Sequence, residues 1–260
     1  MRGTLSGVEQ KLERANHHVQ ELNAELQAFF ATNPYVGRSK RDPKTRQVIY
    51  YMVSVRETPP VISALAGEIL QSLRSALDHL AYQLVLVGTG KPGPFPYVYY
   101  PIFESAEKYE AGKLGQIKGM RKKAIEAIDA TKPYKGGNDA LWKIDRLNKI
   151  DKHRLLIAVG SVFTSFDVAH YMSRQIGEPG LSSGPSVFIG VTEPRPVPLK
   201  AGDIVFTDRP DAEPDEQQQF RFAVAFSEPG IAEGETVIET LKQMTDLVGG
   251  LLPSFRRLLS

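Results

Sequence analysis

Apolar residues recur at helical spacing along several stretches of the chain, and the longest stretch runs from Pro60 to Val87. Proline fits the first helical turn, and Gly88 with Gly90 provides a stop signal after the stretch. At about 100° per residue, the leucines, isoleucines and valines between these ends cover more than half of the helix circumference. A helix this apolar is buried on most sides. The pattern therefore predicts a central helix over residues 60–87.

Four further helices are predicted from weaker patterns. The first covers residues 6–32 and the last covers residues 235–259, and both carry apolar residues alternately four and three positions apart. We expect these two helices to pack together or on the central helix. Shorter amphipathic patterns predict helices over residues 118–131 and 138–158. The Pro- and Tyr-rich connection 91–103 cannot be helical, because proline interrupts the helix hydrogen bonds.

Two regions have the composition of β-strands. Residues 35–56 are rich in β-branched and aromatic side chains around Asp42-Pro43, which predicts a hairpin. Alternating patterns between turn residues predict a small antiparallel sheet within residues 161–227. The expected fold class is α+β in a single domain, residues 1–260. It is a mainly helical bundle with a β-hairpin after the first helix and an inserted antiparallel sheet before the C-terminal helix.

Composition excludes several kinds of chemistry. The chain has no cysteine, so disulfides, thiolate metal sites and cysteine nucleophiles are excluded. No metal-ligand pattern, phosphate-binding glycine loop or nucleophile elbow occurs, so we expect no cofactor and no metal. The first ten residues lack the apolar run of a signal peptide, and charged residues interrupt the most apolar stretch. These features predict a cytoplasmic protein without a membrane span.

Basic residues are concentrated at the predicted hairpin turn, although the net charge of the whole chain is only +2. Such a cluster can contact a phosphate backbone. It can equally be a solvated loop whose charges keep a sheet edge from pairing with another chain. The sequence leaves both interpretations open for Arg38, Lys40, Arg41, Lys44 and Arg46.

The central helix contains the one short motif to which chemistry can be attached. Arg74 is followed by four residues and then His79, and Arg74 also stands four residues before Asp78, close enough to interact with it. Arg74 and His79 lie about 140° apart on an ideal helix. One straight helix therefore cannot direct both side chains at one small molecule, unless a second copy or another helix closes over them.

A second polar cluster follows at the end of the helix predicted over residues 138–158. Asp151 stands on the apolar face of that helix, where a carboxylate is costly unless it is paired. We expect Arg154, Arg74 or His79 to be its partner inside the fold. A purely structural buried ion pair is the alternative.

An arginine and a histidine with this spacing, on a helical bundle, resemble the HEPN superfamily. Many HEPN proteins are metal-independent RNases of toxin and defence systems, whose site is usually composite across a dimer. The resemblance implies an RNA partner and a homodimer. It also implies that Arg74 stabilises charge on the attacked phosphate and that His79 acts as general acid or base. The segments LRSALDHLAYQL and NKIDKHRLL further resemble a group of uncharacterised bacterial proteins.

The leading hypothesis is thus a HEPN-like RNA-cleaving or RNA-binding protein. Beside the catalytic pair, Asp78 and Asp151 would orient the site, and His153 and Arg154 would assist. Two alternatives stay open. One is a non-enzymatic interaction module in which the charged residues form a structural network, so that replacing Asp151 by Asn destabilises it strongly. The other is a helical bundle that binds a small molecule in a cavity between its helices.

Overall fold

The structure, a computed structural model, describes residues 3–163, 165–167, 188–190, 198–210 and 221–259. The helices within these ranges are α1 Ser6–Ala31, α2 Pro60–Thr89, α3 Ala106–Gln116, α4 Lys122–Ala130, α5 Asp139–Asp151 and α6 Val237–Arg256. The strands are β1 Tyr35–Arg41, β2 Gln47–Val55, β3 Ala158–Phe163, β4 Ser165–Asp167, β5 Phe188–Gly190, β6 Ile204–Pro210 and β7 Arg221–Phe226. The predicted α+β class is confirmed.

Helix α2 forms the centre of the fold, and it packs against α1, α5 and α6. Fifteen of its 30 residues are buried, so the helix contacts protein on most of its sides. Each buried leucine, such as Leu73 or Leu77, contributes roughly 1.5–3 kcal/mol by leaving water. The helix begins at Pro60 and is capped by Gly90, whose φ of 64° lies in the left-handed region that glycine favours. The predicted stop signal is therefore correct.

The first and last helices pack together, as their apolar seams predicted. The backbone N–H of Gly3 donates to the carbonyl of Leu259 over 2.9 Å, so the two ends of the described chain meet. An ion pair of 2.8 Å between Arg256 and Glu9 also joins the two helices. These contacts close the bundle around α2.

Two predicted helices have different bounds in the structure. Helix α5 ends at Asp151, whereas the sequence predicted a helix to residue 158. Of the apolar residues beyond it, Leu156 is buried while Leu155 and Ile157 are exposed, and β3 then begins at Ala158 and pairs with β7. The helix predicted over residues 118–131 is α4, which begins at Lys122. Helix α3 was not predicted; its N-cap is Ser105, whose Oγ accepts from the N–H of Lys108.

The predicted hairpin is formed by β1 and β2, which pair antiparallel. Its turn is built around Asp42, whose carboxylate accepts hydrogen bonds from the N–H groups of Lys44 and Thr45 at 2.7 and 3.1 Å. The N–H of Asp42 donates to the carbonyl of Gln47 over 2.8 Å and closes the turn. This is the local Asp chemistry on which the turn prediction rested.

The strands that follow α5 divide between several sheets. Strand β6 pairs with β2, which extends the hairpin to a three-stranded sheet of order β1-β2-β6. Strands β3 and β7 form the small antiparallel sheet that precedes α6, and β4 pairs with β5. The rest of the segment 161–227, in which further strands were predicted, lies outside the described residues.

Candidate functional site

Arg74 lies on the side of α2 that faces α5 and the connection after α2. Its guanidinium Nη2 is 3.0 Å from the carboxylate of Asp78 and donates to the carbonyl of Tyr100 over 3.1 Å. Its Nε is 3.6 Å from the carboxylate of Asp145 on α5. Only 12% of the side chain is exposed. Arg74 therefore links two helices and a loop from inside the fold.

The two carboxylates around Arg74 have further partners. Asp78 accepts the backbone N–H of Tyr100 over 2.9 Å. Burial raises the pKa of the Asp78 carboxyl above its ordinary value, while Arg74 and the Tyr100 N–H act in the opposite direction. Asp145 also pairs with Lys149, one turn later on α5, at 2.6 Å. We call Arg74, Asp78, Asp145 and Lys149 the interhelical network.

Two buried polar atoms in and beside the interhelical network lack hydrogen-bond partners among the described residues. Among the described residues, neither Nη1 of Arg74 nor Oδ1 of Asn148 has a hydrogen-bond partner, although both atoms are buried. Asn148 lies three residues after Asp145 on α5, so both side chains are on the face that packs against α2. Sequence reasoning missed Asp145. The available signal was a short polar stripe, Asp145 and Asn148, next to Ile144 and Leu147.

His79 does not join Arg74. Its side chain is exposed, and it lies on the side of α2 that faces the start of α1. A Cβ added at Gly7 would come within 2.9 Å of Nδ1 of His79, so glycine allows this close approach. The separation of about 140° expected from helix geometry is therefore realised, and no single-chain site contains both members of the motif.

Asp151 does not have the partner that was expected of it. Its side chain is half-buried at the end of α5 and lies directly over Gly67 of α2, where an added Cβ would overlap the carboxylate. Within the described part of the chain it makes no hydrogen bond or ion pair. Burial, together with the nearby Glu68 carboxylate, raises the pKa of Asp151. The predicted ion pair with Arg154, Arg74 or His79 is wrong. Arg154 lies beyond the end of α5 and binds Glu228, Arg74 binds Asp78 and Asp145, and His79 lies against the start of α1.

Arg154 pairs elsewhere, with Glu228 in the turn after β7. The guanidinium binds both carboxylate oxygens, at 3.0 and 2.7 Å, and Glu228 also accepts the N–H of Ile157 over 2.9 Å. The side chain of Glu228 is only 1% exposed. This pair fixes the chain between α5 and β3 to the turn before α6. His153, beside it in sequence, is exposed.

The six predicted site residues thus occupy four separate places. Only Arg74 and Asp78 meet, and neither His153 nor Arg154 contacts them. Two surface clefts lie elsewhere: one of about 520 Å³ between the end of β2, the start of β3 and residues 198–201, and one of about 580 Å³ at the start of α1. Neither cleft is lined by any of the six residues.

The outward face of the hairpin carries a group of side chains that we call the hairpin surface, namely Arg38, Lys40, Lys44 and Tyr51. Residues of β2 alternate, so Val48, Tyr50 and Met52 are buried while the side chains between them face outward. Arg38 stands opposite Tyr51 in the strand register. The ammonium of Lys40 lies 5.0 Å from the centre of the Tyr51 ring, within cation–π range.

Comparison with family models, with curated proteins and with solved structures found no match to this chain. Among the described helices, none combines the length and the hydropathy needed to cross a bilayer. The described residues also contain no group of three or more His, Asp or Glu side chains arranged to hold a metal ion. The function must therefore be argued from the side chains themselves.

Proposed function

We propose that this chain is a non-catalytic RNA-binding protein in which the interhelical network of Arg74 is structural. The observation that supports this proposal is the position of the Arg74 guanidinium. A catalytic arginine must direct N–H donors at the phosphate where charge develops. Here Nη2 is directed at Asp78 and the carbonyl of Tyr100 and Nε at Asp145, while Nη1 is buried and the side chain is almost closed to solvent.

The RNA partner is supported by the charge of the hairpin. Residues 35–55 contain five basic residues and one acidic residue, a net charge of +4 in a chain whose total is +2. The single acidic side chain, Asp42, is engaged by the turn. A concentrated positive charge beside an outward-facing aromatic ring is the arrangement by which proteins hold single-stranded nucleic acid. The hairpin surface provides both components.

Salt-dependent binding tests this proposal. Binding of a labelled single-stranded RNA is followed by fluorescence anisotropy between about 50 and 200 mM salt. The double variant Lys40→Ala/Lys44→Ala should bind more weakly. For single strands, the slope of log K against log salt should flatten by about 0.7 for each phosphate that the variant no longer neutralises. The matched control is Lys108→Ala/Lys242→Ala, which removes two exposed lysines outside the hairpin.

Each outcome of this experiment decides the proposal. Weaker binding and a flatter slope in the hairpin variant alone support it. Equal weakening in both double variants indicates a general charge effect and overturns the role of the hairpin. Absence of RNA binding by the unaltered protein overturns the function itself.

Two further expectations belong to this proposal: the homodimer, which the HEPN resemblance implies, and a cytoplasmic location, which the sequence features predicted. The homodimer stays a prediction, which light scattering of the purified chain measures directly. A dimer would supply a second His79 but would not release Arg74, since the guanidinium is held by residues of its own chain. A cytoplasmic location, where RNA is available, also stays part of the proposal.

A further inference from the structure

A second surface with exposed aromatic rings lies at the C-terminal end of α2, in the connection to α3. Tyr97 is 79% exposed and Tyr99 is 47% exposed. Both belong to a segment rich in proline, and both are close in sequence to the fully buried Tyr100. These exposed rings are available to contact a partner.

The backbone of Tyr97 is strained. Its φ of 66° lies in the left-handed region, which is unfavourable for a residue with a bulky side chain. Burial of the ring does not compensate for this strain, because the ring is in solvent. The conformation is held by neighbours: Tyr99 N–H donates to the carbonyl of Gln116, and Tyr100 N–H donates to Asp78. Strain fixed in this way, on an exposed residue, points to a functional role.

The chain segment that holds these rings and a second segment in contact with it carry positive charge. No acidic residue occurs in residues 79–103 or 111–125, whereas basic residues occur in both segments. The two segments meet at the end of α2, where a Cβ added at Gly88 would come within 3.0 Å of the backbone of Arg121. Lys91 and Lys118 are both exposed beside this contact. We call Tyr97, Tyr99, Lys91 and Lys118 the aromatic–basic surface.

We propose that the aromatic–basic surface is a second binding site for single-stranded RNA, in which Tyr97 and Tyr99 stack on bases while Lys91 and Lys118 contact phosphates. Stacking on aromatic rings accepts any base, and lysines beside them follow the backbone. The absence of acidic side chains from both segments favours a polyanion over a protein partner of mixed charge. The inference rests on the proposed function, because the ligand is the same.

The hairpin surface and the aromatic–basic surface are connected through the chain to different ends of α2. The hairpin joins the start of the helix at Pro60, and the aromatic–basic surface adjoins its end at Thr89. A helix of this length extends about 45 Å. An oligonucleotide of about 10 nucleotides, within the range bound by single-strand-binding proteins, can be used to load either surface alone. Longer RNA that reaches both surfaces should bind more tightly through multivalency.

The test compares Tyr97→Ala with Tyr97→Phe in the full chain, using labelled single-stranded RNA and its duplex form. Removal of one stacking ring should weaken single-strand binding by roughly 5- to 150-fold, and Phe should restore it because the ring is kept. Duplex binding should change little, since its bases are already stacked. The melting temperature of Tyr97→Ala should not fall, because the exposed ring is not part of the core.

The results separate this inference from the proposed function. Weaker binding by Tyr97→Ala with rescue by Phe supports the second surface. Unchanged affinity in Tyr97→Ala, alongside weakened binding in Lys40→Ala/Lys44→Ala, overturns the second surface and leaves the hairpin proposal intact. No binding of RNA by any form of the chain overturns both.

Discussion

Replacing Arg74 by Met should destabilise the fold, whereas replacing His79 by Ala should not. Methionine keeps the length of the arginine stem but leaves Asp78 and Asp145 without their shared cation. Removing one partner of a buried ion pair costs about 3–5 kcal/mol of unfolding free energy, because the remaining charge is unpaired. Exposed His79 makes no comparable contact, and surface substitutions of this kind stay within about 0.5 kcal/mol.

The structure places the Arg74→Met effect near the low end of that range, at about 3 kcal/mol. Asp145 keeps its ion pair with Lys149, so Asp78 is the carboxylate that is left without a cation. Asp78 retains the N–H of Tyr100, and Nη1 of Arg74 has no hydrogen bond to give up among the described residues. Urea unfolding measures the difference, as a midpoint lower by roughly 1 M or more for slopes of about 1–3 kcal/mol/M.

The pH dependence of this destabilisation follows from the pKa of Asp78. Burial raises that pKa and Arg74 lowers it, so the variant should have a still higher folded-state pKa. A carboxyl with a raised folded-state pKa destabilises the fold as the pH rises above its unfolded value. The deficit of Arg74→Met should therefore be largest at pH 7 and shrink towards pH 4. A variant as stable as the original chain at pH 7 would refute the structural role of Arg74.

Three further substitutions test the other charged positions. Asp151→Asn should stabilise the chain at pH 7, since it removes a half-buried carboxylate that lies beside Glu68 and over Gly67. Because the pKa of Asp151 is raised in the folded state, the gain should shrink as the pH falls. A lower stability of the variant at pH 7, measured by urea unfolding, would contradict this. Arg154→Ala should cost about 3 kcal/mol or more because Glu228 stays buried without a cation. Glu228→Gln should cost less, because half-exposed Arg154 can turn to water, and the reverse order in thermal unfolding would contradict the assignment.

Local signals were sufficient to predict five of the six described helices and the hairpin turn. Pro60 and Gly90 act on their own stretch of chain, and the Asp42 turn closes within six residues. Helix α3 was missed because its burial depends on distant partners. Of its residues only Tyr109 and Lys113 are buried, and both bind Asp129 of α4. Such a contact across the fold leaves no periodic pattern in the sequence of α3.

In the candidate site, too, contacts within one helix could be predicted from the sequence and contacts between helices could not. The four-residue spacing of Arg74 and Asp78 predicted their contact correctly, because one helix fixes it. The third member, Asp145, comes from another helix, and its burial depends on how α5 packs on α2. The sequence prediction made Asp151 the buried carboxylate that pairs with a cation, a role that Asp145 has in the structure. The position of Asp151 on the apolar face was visible in the sequence, but the end of α5 at this residue was not. A residue spacing can thus suggest a catalytic motif where the fold uses the arginine as a structural cation.

One measurement tests the central claim most directly. Labelled single-stranded RNA is incubated with the full chain in EDTA, and both its anisotropy and its length on a denaturing gel are recorded. We expect the RNA to be bound, to be released as salt rises, and to remain at full length, with His79→Ala giving the same result. RNA that is shortened by the unaltered chain and preserved by His79→Ala would contradict the account and establish His79 as a catalytic residue.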